Sequence, residues 1–365
     1  MNISQKTSAT FMIANLIAMF LVILIHYNSK HSIDLSNGYT LNYFIQEILA
    51  NVIARSAVPI FAFLSGYFLI EQLFKKGYRT TFVGKFYTLF RPYIMSSIII
   101  YLPFMLYSLL FKTSSPYEID FNMYLYNLLL HPTSGQFWFL RDLMILVLVS
   151  PLLFHKQKFI SYMFLIILFF LWILNIQVFP KVADWYLLNI ETFFFFLLGG
   201  IVRKDFFYIE SVLFCKNRTK IAIVFIWFTL IILRVFIDPN LDVWYVHNYT
   251  FNSLILYKIA ILIGIISIFQ IAVIFVNIKF LIYLSGLTFF IFLFHNSPLH
   301  RITSFTENII NPALAFYFYF PLITILMFTF AHFTSKYFPF FYNLISGNRN
   351  PNKSLNRLSI KPNIR

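Results

Sequence analysis

Residues 22–27 read VILIHY and close an apolar run that begins at Phe11. Taken from residue 9 to residue 28, the run matches the roughly 20 residues that a helix needs to cross the hydrocarbon core of a bilayer. It leaves His26 where hydrocarbon gives way to headgroups. An imidazole at that depth lacks water partners, so its presence asks for a use.

The rest of the chain repeats the apolar theme. Of 365 residues, 60% are hydrophobic and 21% aromatic, while only 11% are charged. A soluble domain cannot hide that much apolar surface. Runs of spanning length lie near 9–28, 54–74, 92–111, 137–154, 158–178, 186–203, 219–237, 253–276, 279–298 and 313–335. The expected fold is an all-α polytopic membrane bundle of about ten transmembrane helices. The single Cys215 excludes an internal disulfide framework and Cys-based metal clusters.

The net charge of +15 matters less than where the cations fall. With the N-terminus in the cytosol, 20 of the 28 Lys and Arg lie inside. Lys30, Arg55, Lys112, Arg141, Lys181, Arg234, Lys258 and Arg301 lie outside or in outer helix ends. This orientation satisfies the positive-inside rule and puts both termini in the cytosol. The expected domains are a membrane domain over 1–336 and a basic, disordered tail over 337–365, close to anionic headgroups. Membrane lipids, not nucleic acid, are the partners this charge pattern predicts. Residues 112–136 form the longest outer loop, and FNMYLYNLLLHP within it suits a short interfacial helix. Residues 238–252 carry Asp238, Asp242, Tyr245, His247 and Tyr249, a mix that fits sugar contacts and an ordinary interfacial loop equally well.

Topology assigns a depth to each ionisable residue that a bilayer does not favour. His26, Arg55, the Arg141–Asp142 pair, Glu191 and His295 come from five helices and share the outer depth. A lone Arg or Glu at a helix end often snorkels to headgroups. Snorkelling does not account for two histidines and a carboxylate at the same level, which is the pattern of a polar site between helices. On the first helix, Asn15 precedes His26 by 11 residues, close to three turns, so the two share a stripe and stand about 16 Å apart. That stripe suits a helix lining a narrow channel; a buried Asn bonded to a neighbouring helix is the simpler alternative. On the inner side, Lys75, Lys76, Arg79, Lys85 and Arg91 flank GKFYTLFRPY; Lys75, Lys76 and Arg79 fit positive-inside charge, and Arg91, beside Pro92 at a helix entrance, suits a phosphate because its fork binds phosphate oxygens in pairs. The chain has no phosphate-binding Gly-rich loop, no HExxH and no GxSxG. His31, His131, His155 and His247 lack metal-ligand spacing, and no metal is expected.

VILIHY, RSAVPIFAFLSGYFL, RPY, FWFLRDLMILVLVSPLL, ETFFFFLLGGIVRK and FIFLFHNSPLH occur in this order over about 10–335. Together they resemble the membrane acyltransferase family 3, which O-acylates bacterial surface carbohydrates, and within it the enterobacterial-common-antigen O-acetyltransferase-like subgroup. The resemblance implies ten core helices in the bacterial inner membrane and a cytosolic acyl-CoA donor, acetyl by default. It implies a carbohydrate acceptor. His26 corresponds to the family's helix-one histidine and is the candidate catalytic base, with Arg141, which matches the arginine of the subgroup's tryptophan motif. Arg55, Ser65, Trp138, Asp142, Glu191 and His295 are candidate substrate-binding residues. Glu191 or Asp142 is expected to set the imidazole tautomer, and His295 is a second acid or base. Asn15, Lys85 and Arg91 are the candidate donor-binding residues; Asn15 stands where the family has a basic residue. A glycan exporter and an inactive relative are the rival readings.

Overall fold

The structure, a computed structural model, describes residues 4–36, 38–111, 134–154, 158–182, 185–205, 209–296 and 310–352. Its helices, in chain order, are α1 (Gln5–His26), α2 (Leu41–Gln46), α3 (Ala57–Lys85), α4 (Arg91–Phe111), α5 (Trp138–Leu153), α6 (Lys158–Ile173) and α7 (Ile190–Lys204). They continue as α8 (Ile209–Leu213), α9 (Asn217–Ile237), α10 (Phe251–Ile274), α11 (Lys279–Ser285), α12 (Thr288–Phe294), α13 (Ala315–Tyr337) and α14 (Pro339–Ser346). A two-residue ribbon, β1 (Lys181–Val182) with β2 (Trp185–Tyr186), makes up the described sheet.

Each apolar run expected from the sequence falls on a helix, the ninth being divided into α11 and α12 at Gly286–Leu287. Among the described residues, six helical stretches are long and apolar enough to cross a membrane, the stretch from Leu41 to Leu102 counting as one. The interfacial helix expected within 112–136 lies, up to residue 133, outside the described residues.

Burial separates the inner helices from the outer. In α1, 67% of the most apolar window is buried, against 22% in α9 and 28% in α13. The outer faces of α6, α9 and α13 present Phe159, Phe170, Phe225, Phe236, Ile325 and Phe330. Apolar faces on this scale are stable only in lipid, where helices also satisfy their own backbone groups. Small residues explain why α1 can sit centrally: Ala14 and Ala18 are fully buried, and Phe11 packs edge-on against Tyr67 and Phe68 of α3.

The tightest helix pair is α3 with α7. A Cβ on Gly66 would lie 1.9 Å from the carbonyl oxygen of Phe196, and one on Gly199 would lie 2.0 Å from that of Phe63. Two glycines facing each other let the backbones touch, the usual means of helix association in lipid.

The C-terminal segment corrects an expectation. Residues 339–350 are not a disordered tail. Pro339 starts α14, Tyr342 and Ile345 are buried, and Tyr342 stacks on Phe290 of α12 with ring centroids 5.2 Å apart. Gly347 ends the helix with φ 65°, and a Cβ there would meet Thr88 at 2.8 Å. The apolar side chains of PFFYNLI give this segment a face to bury, which the polar residues after it lack.

Candidate functional site

The two histidines meet. The imidazoles of His26, at the end of α1, and His295, at the end of α12, have centroids 5.0 Å apart. His295 is fully buried. Its Nδ1–H donates to the Phe292 carbonyl at 2.9 Å, and its own backbone carbonyl accepts the Tyr27 hydroxyl at 2.6 Å. Donation from Nδ1 leaves Nε2 as the basic nitrogen of the neutral ring. That Nε2 has no hydrogen-bond partner among the described residues.

The carboxylates of Asp142 and Glu191 hold neighbouring elements together. Asp142 Oδ2 accepts the Asn189 N–H at 2.9 Å, and Arg141 lies 3.6 Å from Oδ1. Arg141 also donates to the Tyr186 carbonyl. Asn189 in turn caps α7 by accepting the Glu191 N–H at 2.9 Å. The Glu191 carboxylate accepts the Trp172 indole N–H at 2.9 Å. Glu191 and Asp142 therefore order the start of α7, and the Phe292 backbone carbonyl sets the tautomer of His295.

Trp138 stacks on Trp185 at 5.9 Å with planes 9° apart, and lies 6.1 Å from Trp244. Arg55 holds its guanidinium 5.7 Å above Trp244 and donates to Asn51 Oδ1 at 3.1 Å. Loop 238–252 presents Trp244 because Asp242 Oδ1 accepts the N–H groups of Trp244 and Tyr245 in an Asx turn.

A cavity of about 560 Å³ opens at the other end of the bundle, where α1 begins. Its mouth carries Ser8, Gln72, Lys85, Asn348 and Arg349, and its bore is lined by Asn15, Ser65, Leu64, Leu143 and Thr288. Asn15 donates to Thr288 Oγ1 at 2.6 Å, so it both faces the cavity and ties α1 to α12. Arg91 is not among the described residues lining the cavity; its guanidinium sits over Tyr87, 5.6 Å from the ring centroid. The cavity stops at Phe61, Phe139 and Phe292, whose centroids are 6.0–6.3 Å apart. Phe292 in turn lies 5.9 Å from His295. One layer of rings separates the cavity from the histidine pair.

A family model described as an acyltransferase domain, family 3, matches residues 15–332. The chain belongs to the membrane acyltransferase family 3. No curated protein and no solved structure matches it in the same comparisons. It is thus a transferase of acyl groups and an integral multi-pass membrane protein.

Three features of this acyltransferase escaped the sequence reading. Glu47 is fully buried between Arg234, whose guanidinium donates to it, and Lys30, whose ammonium lies at 2.5 Å. Asn51 connects this group to Arg55 by donating to Glu47 at 2.9 Å. The signal was Glu47 itself, one of only 13 acidic residues, in the apolar stretch LNYFIQEILANVI. Lys258 is buried with its ammonium 5.0 Å above Trp172, the partner of Glu191. The third feature is Arg349, which sits 3.6 Å from the ring of Phe289. Burial lowers its pKa to about 10, which leaves it charged at neutral pH.

Proposed function

We propose that this protein moves an acyl group, acetyl by default, from cytosolic acyl-CoA to a hydroxyl of a cell-surface or lipid-linked carbohydrate. One observation carries the reading. The cavity at the basic end is continuous from charged mouth to aromatic layer, and that layer adjoins the histidine pair. A long thin thioester arm suits such a bore, with phosphates left at the mouth.

In this scheme the donor enters from the cytosol and its arm runs past Asn15 and Ser65. The acceptor binds at the opposite end, where Trp138 and Trp244 offer flat apolar faces and Arg55 offers donors. His26 takes the proton of the acceptor hydroxyl as that oxygen attacks the thioester carbonyl carbon. The C–S bond of the resulting tetrahedral adduct then breaks, the acyl oxygen ester forms, and the thiolate takes up a proton. Arg141 stabilises negative charge on the carbonyl oxygen or orients the sugar. His295, whose Nε2 has no partner among the described residues, serves as the second base in reach of His26. The enzyme would reside in the bacterial inner membrane with both termini in the cytosol.

The test is mass spectrometry of surface glycans from cells with and without the protein. One acyl mass per repeat, present with the wild type and absent without it, is the expected result. Glycan that disappears altogether from the surface without a change in acylation would instead favour export.

A further inference from the structure

Lys85 and Arg349 share the mouth of the cavity, although 264 positions separate them in sequence. Neither forms an ion pair among the described residues. Two cations gathered at a half-buried mouth without a carboxylate favour an anion there. The hydrogen bonds that hold Arg349 leave from Nη1, which donates to Thr88 O at 2.7 Å and to Ser346 O at 2.9 Å. Its plane rests on Phe289. One edge of the fork is thus anchored, and Nε and Nη2 keep donors for a ligand. The anchorage depends on α14. Tyr342 stacks on Phe290, its hydroxyl donates to Gly286 O at 3.2 Å, and Gly347 makes the turn that brings Arg349 back over Thr88. The family match ends at residue 332, so this device lies outside the matched domain.

We propose that Arg349, delivered by the folded segment 339–350, joins Lys85 to grip the phosphates of the acyl donor. The proposal rests on the donor reading above. The guanidinium holds two phosphate oxygens at once and fixes the direction of the nucleotide, while Lys85 acts as a mobile point charge. The pantetheine arm then starts at the mouth and points along the bore toward Asn15.

The experiment uses the detergent-purified full chain, with coenzyme A and inorganic pyrophosphate as separate probes in titration calorimetry. Arg349→Ala and Lys85→Ala should each weaken coenzyme A about ten- to hundredfold, the range for a lost charged hydrogen bond. Arg349→Lys should fall between wild type and Arg349→Ala. In turnover assays the donor KM should rise while kcat stays near wild type, which a role confined to folding would not produce. The Lys85 side chain makes no hydrogen bond to described residues, so Lys85→Ala keeps the idea testable if Arg349→Ala fails to fold. Coenzyme A bound equally by wild type and Arg349→Ala, or weakened only in Lys85→Ala, overturns the proposal and leaves the donor reading standing. Arg349-dependent binding of pyrophosphate without binding of coenzyme A supports the grip and sinks the donor reading. Binding of neither probe to wild type overturns both.

Discussion

His26 and Glu47 are the two residues with the largest expected effects, for opposite reasons. His26→Ala should reduce acyl transfer by about 10²- to 10⁴-fold, the range for loss of a general base. Glycan acylation in membranes matched for protein level would measure it, and unaltered acylation would refute the assignment. Glu47→Gln should act on stability instead. It leaves the fully buried Arg234 without a counter-charge, and breaking a buried pair in this way costs about 3–5 kcal/mol. A lower melting temperature in detergent, without the activity profile of His26→Ala, is the expected signature. His26 was legible because topology gave it a depth, whereas Glu47 lies in a stretch not read as a span. Its partners Arg234 and Lys30 were counted as outer charges, since charge sorting assigns a side and not a neighbour.

At the scale of elements, the spanning helices were legible because each had a run of apolar residues behind it, whereas the short α2, α8 and α14 were not. The pairing of helices was not, since Gly66 and Gly199 look like ordinary glycines until α3 and α7 are side by side. Gly199→Ala puts a methyl 2.0 Å from a backbone oxygen that cannot swing away, so the helices must separate. Overpacking of this kind costs about 1–3 kcal/mol, and the yield of folded protein in size-exclusion chromatography should fall. The substitution Gly84→Ala, where a methyl would meet open space, is the control. The start of α1 is fastened differently. Thr7 donates to Glu210 at 2.6 Å, and hydrogen bonds from Ser4 and Thr7 hold the Glu210 carboxyl below its ordinary 4.5. A depressed carboxyl stabilises the fold above its unfolded pKa, and that stability fades as pH falls through the folded one. Protection of the Ser4–Ser8 amides, relative to their intrinsic exchange rates, should therefore fall below about pH 4.5 in wild type and be reduced at higher pH as well in Glu210→Gln.

Viewed whole, the molecule holds a cavity at the basic end and a cluster of histidine and tryptophan rings toward the other. Phe61, Phe139 and Phe292 lie between them. Under the proposed function, a charged donor enters from one side of the membrane and a sugar from the other, an arrangement that would risk becoming a conduit for protons. On the proposed function, the three rings would keep the membrane electrically closed while the two sides exchange only an acyl group. Phe292→Ala should breach that closure. Proteoliposomes carrying it should dissipate an imposed pH gradient faster than wild-type vesicles, and cells expressing it should grow poorly for bioenergetic reasons even where acylation persists. Gradients that decay at the wild-type rate would show that the seal lies elsewhere.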